Sequence, residues 1–165
     1  MNDLPPFLEV SHYPGADDSE RWAKYIDGLY TIYTRTVAFA NLEFRGLPVR
    51  CQFRPETNGK HFAFWHMMQE GEIEDDRHID PERCRRVAWI AWVIRNAEAN
   101  PAILVFSQQR GRETSWVLWL RDHRYAVILW ERKDKFLLKT AFLVKPHGQM
   151  QFEKEWQAYN RSQNG

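Results

Sequence analysis

Three groups of residues have types and spacings that could do chemistry. The first is Lys60, His61 and His66. In an extended segment Lys60 and His66 lie an even number of residues apart and share one face, with His61 on the other. A histidine beside a cation suits proton transfer near neutral pH, because its reference pKa of about 6.5 falls further next to positive charge. The same pair also reads as ordinary core or surface histidines of an aromatic segment. The second group is Arg83, Arg85 and Arg86, which put three guanidinium groups in the first two turns of a helix expected to start at Pro81. A helix N-terminus favours acids, so cations there either hold a phosphate or pair with the acidic stretch Glu70, Glu72, Glu74, Asp75 and Asp76. Along the same helix Glu82, Arg85, Trp89, Trp92 and Asn96 recur at spacings of three or four and form one face. The third group is Arg110 and Arg112 in a Gly-containing loop, Glu131 at a strand end, and Lys139-Thr140 inside an apolar strand. Threonine is ordinary in a strand. Lysine there needs an edge position or a stem that reaches water.

Several chemistries are not encoded. The sequence has no Gly-rich phosphate loop, no nucleophile elbow and no metalloprotease helix. Cys51 and Cys84 are too few for a disulfide framework and lack zinc-site spacing, so both read as small buried residues. The acidic stretch with His78 and Asp80 reads as a solvated loop, and no metal or other cofactor is expected.

Composition narrows the classes further. A chain of 165 residues suits one domain. With 44% apolar and 27% charged residues, global disorder is excluded. Lys+Arg 23 against Asp+Glu 22 leaves a net charge of +1, so any nucleic-acid role must rest on local clustering of cations. Aromatics at 15% indicate a packed core, a base-stacking surface or a protein interface. No apolar run approaches the roughly 20 residues of a membrane span, and the opening MNDLPPFLEV is not a secretory leader. The expectation is a soluble cytoplasmic protein with no membrane contact.

The elements that must position these residues are legible in outline. Residues 1–17 read as an irregular lead-in and 18–162 as one α+β domain. Asp17, Asp18 and Ser19 offer caps for a helix over 18–38, whose Trp22, Tyr25, Ile26, Leu29, Tyr30 and Tyr33 recur at helical spacing. Two short extended pieces follow between Leu42 and Phe53, around a turn at Arg45-Gly46-Leu47-Pro48. The stretch from Lys60 to Met68 is either a strand or a strand running into a helix. Asp80-Pro81 starts a middle Arg-rich helix that Asn100-Pro101 stops. Strands are expected over Ile103–Ser107, Ser115–Arg121, Tyr125–Glu131 and Phe136–Val144, with short links that favour an antiparallel meander. Met150–Tyr159 is an expected C-terminal helix. The fold class is therefore α+β, an antiparallel sheet of four to six strands packed with an N-terminal, a middle and a C-terminal helix.

This order, together with a last strand reading Phe136-Leu137-Leu138-Lys139-Thr140-Ala141-Phe142, resembles the barnase/EndoU/colicin/RelE-like (BECR-fold) superfamily of small ribonucleases. The likeness covers about residues 20–145 and is greatest to toxin-like members encoded in phage and mobile elements. It implies metal-independent RNA cleavage, with a general base, cations on the charged phosphorane and a general acid. Carried over, it implies acid/base roles for His66 first and His61 second, and phosphate contacts from Arg85 or Arg86. Lys139 and Thr140 would meet the scissile group, Lys60 would assist binding, and Trp89, Trp92 or Trp130 would stack a base. A regular strand turns Lys139 and Thr140 to opposite faces, so both serve one site only where the strand bends. It also admits a neutralising protein partner. The competing expectation is a non-enzymatic phage or mobile-element accessory protein that binds another protein through its aromatic surface.

Overall fold

The computed structural model describes residues 3–73 and 76–164. In chain order its first half contains α1 (Asp18–Tyr33), β1 (Glu43–Phe44), β2 (Leu47–Arg50), α2 (Phe62–Met68), β3 (Gln69–Glu70), β4 (His78–Ile79), α3 (Pro81–Arg85) and α4 (Val87–Asn96). The second half contains β5 (Ile103–Arg110), β6 (Glu113–Leu120), β7 (Tyr125–Glu131), β8 (Phe136–Leu143) and α5 (Pro146–Asn164). The first helix starts at its expected cap, the Asp17 carboxylate accepting the Glu20 amide, and runs on through a wider turn over Thr34–Ala38. The lead-in is pinned to it and to α4. Tyr25 Oη donates to Leu8 O at 2.6 Å, and Trp89 Nε1 donates to Pro5 O at 2.8 Å.

The four late strands form the expected antiparallel meander, and the complete sheet has the order β1-β2-β8-β7-β6-β5. That sheet is mixed, which corrects the antiparallel expectation. β2 lies parallel to β8 through Val49 opposite Phe136 and Arg50 opposite Leu137. Parallel neighbours need a long crossover, and everything from α2 to β7 supplies one. Local turn signals specify hairpins; they carry no information about a pairing between distant segments. The early hairpin is one such local signal: Arg45 and Gly46 take φ of 51° and 82°, conformations glycine adopts without strain.

Three other expectations are settled or change. In the Lys60–Met68 stretch Lys60 and His61 are extended and Phe62–Met68 is helix α2, the second of the two expected forms, so the extended-chain alternation that put Lys60 beside His66 does not apply. The Pro81 helix, correctly capped by Asp80, breaks at Arg86, whose φ and ψ are −103° and 19°. There the Arg86 amide bonds Arg83 O, and the Glu82 carbonyl is taken instead by the Arg86 guanidinium at 2.9 Å. A side chain thus replaces one rung of the helix, and α4 starts afresh at Val87. The C-terminal helix is longer than expected, running from Pro146 to Asn164.

The sheet separates two apolar layers. On one side Leu29, Tyr33, Phe64, Met67, Ile90 and Ile94 from the helices meet Leu118, Val127 and Leu129. On the other, α5 lays Phe152 against Phe106, Val117, Trp119, Ala126 and Ile128. Ile90 is fully buried in the first layer, whereas Met150 of α5 is 63% exposed. In urea unfolding, Ile90→Ala should therefore lose about 2–5 kcal/mol, while Met150→Ala stays within about 0.5 kcal/mol of the parent.

Candidate active site

β2 accompanies β8 only as far as Leu137. Beyond that point α2 lies along the strand edge, and His66 in its last turn takes over. His66 Nδ1 sits 3.1 Å from Lys139 O. A carbonyl can only accept, so Nδ1 carries the hydrogen, and Nε2 is the nitrogen that takes up a proton when the ring becomes charged. The Phe62 ring, one turn earlier, lies 5.4 Å from the imidazole.

The strand bends at this place. Ile128 is opposite Thr140 and Leu129 is opposite Leu138, which leaves Lys139 as an extra residue in β8. Such a bulge disrupts strict alternation and turns the strand. The condition for Lys139 and Thr140 to serve one site is thereby met. The Lys139 ammonium lies 5.0 Å from the centre of the Trp130 ring. With His66, Gln52, Phe62, Leu137 and Trp130, it lines a cleft of about 280 Å³. Burial holds the Lys139 pKa below its usual range, with Arg110 adding to the effect and Glu113 opposing it.

On the other side of His66 two arginines converge. Arg83 Nη1 donates to Gln69 O at 2.5 Å, and reaches His66 O and the Thr140 hydroxyl at 3.3 Å each. Arg77 Nη2 donates to the same two carbonyls, Gln69 at 2.5 Å and His66 at 2.9 Å. Burial lowers the Arg83 pKa; Asp80, 3.4 Å from its Nε, opposes this, and the neighbouring Arg77 charge adds to it. Two like charges gathered on shared carbonyls favour an anion beside them. Beyond them opens a cleft of about 800 Å³ that also meets Arg124, Lys145 and His147, along with the carboxylates of Glu70, Glu72, Asp80 and Glu82. Among the described residues no group of three His, Cys, Asp or Glu side chains is arranged to hold a metal ion.

The remaining candidates lie elsewhere. His61 is 6% exposed, stacked on Phe53 at 3.9 Å and 3.1 Å from Tyr33 Oη, and its burial lowers its pKa against the opposing charge of Glu56. Lys60 pairs with Asp27 at 2.8 Å. Arg85 is paired with Glu9 and with Glu82, and Arg86 with Glu82 at 2.8 Å; both guanidinium groups lie over Phe7. Trp89 is 5% exposed and stacks on Phe7 at 5.4 Å. Trp92 packs against the first apolar layer, and Trp65 donates to Thr57 O. Of the acidic stretch offered as partner to the arginines, Glu74 and Asp75 lie outside the described residues. Glu70 bonds His78 at 3.4 Å. Among the described residues, Glu9, Asp80 and Glu82 form the ion pairs with the arginines of α3 and Arg86, and the Glu70 charge also acts on Arg83.

The structure thus gathers His66, Lys139, Thr140 and Trp130 and separates them from Lys60, His61, Arg85, Arg86, Trp89 and Trp92. Arg77 and Arg83, and not Arg85 or Arg86, are the arginines that bond His66 O. Arg83 was visible as one of three helix-start cations, with nothing in the sequence to single it out. Arg77 had a fainter signal, a single cation inside an acid-rich run.

Two stability measurements follow from these pairings. Arg83→Met removes the cation 3.4 Å from Asp80 while Arg77 still serves the His66 and Gln69 carbonyls, so it should cost about 1–3 kcal/mol, whereas Thr140→Val should cost about 1 kcal/mol or less. Hydrogen bonds from Arg86 and then Arg85 hold the Glu82 carboxyl below its ordinary pKa. A depressed carboxyl stabilises the fold above the ordinary carboxylate range, and that contribution is lost as pH falls through the depressed value. Glu82 is 43% exposed, so Glu82→Gln should lose only about 0.5–1 kcal/mol at pH 7 in urea, a gap that closes below about pH 4. Comparison with known proteins finds no matching family model, no matching curated protein and no matching solved structure.

Proposed function

We propose that this protein is a metal-independent endoribonuclease acting at the bulged edge of β8. One observation carries the reading: His66 bonds the Lys139 carbonyl while Arg83 reaches the Thr140 hydroxyl on the next residue. A proton-transfer group, a guanidinium and a hydroxyl therefore surround one peptide unit. Phosphoryl transfer to a neighbouring hydroxyl needs that set. His66 Nε2 takes the proton of a ribose 2′-hydroxyl as its oxygen attacks phosphorus. Arg83 and Lys139 offset the charge that develops on the phosphorane, and Thr140 donates to a phosphoryl oxygen. The bond from phosphorus to the 5′-oxygen then breaks, and the leaving oxygen takes a proton from the Lys139 ammonium. Burial makes that ammonium a readier acid than an exposed lysine. The products are a 2′,3′-cyclic phosphate and a 5′-hydroxyl.

Local placement, not overall charge, supports this reading on a chain of net charge +1. Incubation with total RNA in EDTA, followed by mapping of the ends, tests it. The wild type should cut and leave cyclic phosphate ends. His66→Ala should cut about 10²–10⁴ times more slowly, and Thr140→Val should slow cleavage while keeping the fold. Intact RNA after incubation with folded wild type would reject the ribonuclease and return the question to a protein-binding role.

A further inference from the structure

We infer that the large cleft where β8 passes into α5 is a binding site for an alkyl chain that carries one carboxylate. The inference does not rest on the ribonuclease reading, because the groups it uses lie past Thr140 and take no part in the cleavage proposed above.

At about 800 Å³ the cleft is of a size that encloses most of a small ligand. Its floor is apolar: Phe142 and Leu143 end β8, Val144 lies in the link, and Phe152 comes from the second turn of α5. Val144 and Phe152 are buried in the second apolar layer, whereas Phe142 and Leu143 are only half-buried. Two features hold this floor in shape. The Val144 amide donates to Arg124 O at 2.5 Å, which ties the link to the turn between β6 and β7. At Gly148 a Cβ would come to 3.0 Å from Val144 Cγ1, so glycine lets the first turn of α5 close on Val144. Arg83 reaches Thr140 with one nitrogen and lies 5.8 Å from the Phe142 ring, and so marks where the cleavage site ends and this floor begins.

The charges around the floor are unequally spent. Three of the four carboxylates that line the cleft are already matched: Asp80 with Arg83 at 3.4 Å, Glu82 with Arg85 and Arg86, and Glu70 with His78. The fourth, Glu72, is exposed. Arg124, Lys145 and His147 also line the cleft and are exposed, and none of them forms an ion pair among the described residues. The first turn of α5 holds no acid to offset them. Unspent cations above an apolar floor select an anion with a hydrocarbon body. A neutral alkyl ligand would leave the cations unused, and a hydrophilic anion would leave the floor wet. The Arg124 guanidinium is a planar fork that the two oxygens of a carboxylate fit.

The test is calorimetry on the full chain with hexanoate, octanoate and decanoate. Affinity should rise about fourfold for each added methylene. Decanoate should bind about tenfold or more tightly than decan-1-ol or decyltrimethylammonium. The double variant Arg124→Asn, Lys145→Gln removes two exposed, unpaired cations. Asparagine tolerates the φ of 54° at Arg124, so the circular dichroism spectrum should be kept. That variant should bind decanoate about tenfold more weakly and decan-1-ol as before. Affinity that does not change with chain length overturns the proposal, as does equal binding of the acid, the alcohol and the ammonium. Undiminished decanoate binding by the folded double variant places the ligand elsewhere and overturns it too.

Discussion

The outer edge of β8 is a row of backbone groups that a neighbouring strand stops serving after Leu137. Backbone carbonyls and amides removed from water must find partners, and an open strand edge is a hazard in itself. Here the substitute partner is a helix end and not a strand. α2 arrives along the edge, His66 donates to Lys139 O, and Arg83 ties the same region to the end of α2 and to β3 through the His66 and Gln69 carbonyls. The backbone carbonyl at this edge is therefore met by an imidazole, and a guanidinium lies beside it on the Thr140 hydroxyl. In an ordinary sheet a backbone amide of the next strand would bond that carbonyl.

The bulge at Lys139 and the break at Arg86 depend on this arrangement in complementary ways. Without the extra residue in β8, Lys139 and Thr140 would point to opposite sides of the sheet, and the hydroxyl met by Arg83 would belong to a different layer from the ammonium over Trp130. Without the break, α3 and α4 would be one helix with Arg83 and Arg86 three residues apart on the same face. As folded, Arg83 serves the β8 edge while Arg85 and Arg86 close on Glu9, Glu82 and Phe7. The lead-in is held by the second set, since Trp89 and Phe7 stack and Pro5 accepts the indole hydrogen.

How much of this was readable depended on the range of the interaction behind it. The Asp17 and Asp80 caps, the early hairpin and the four-strand meander are local, and their residues announced them. α2 was ambiguous because Phe62, Phe64, Trp65, Met67 and Met68 form a nearly unbroken apolar run, which suits a buried helix as well as a strand. The pairing of β2 with β8 joins segments separated by most of the domain, and no short pattern encodes it. Within the site, His66, Lys139, Thr140 and Trp130 stood out as polar or aromatic residues set in apolar elements. His61 stood out for the same reason and serves a ring cluster with Tyr30, Tyr33, Phe39 and Phe53. Residue type could not separate the two histidines; only the direction of α2 does.

The balanced charge looks different once the pairs are located. Glu9 is committed to Arg85, Asp27 to Lys60 and Glu153 to Arg121, and Glu82 to Arg85 and Arg86, while Asp80 stands 3.4 Å from Arg83. Arg77 is held by carbonyls of Gly71, His66 and Gln69, which orient a guanidinium without neutralising it. A sum over the chain counts these cations as equal, but the field at a site depends on which carboxylates stand near it. The aromatics divide in the same way. Most are consumed by the two apolar layers and by the lead-in, where burial accounts for them. Phe62 and Trp130 are the ones left half-buried on the cleft with His66 and Lys139. An average composition therefore gives little information about a site whose character is set by a few residues at one strand edge.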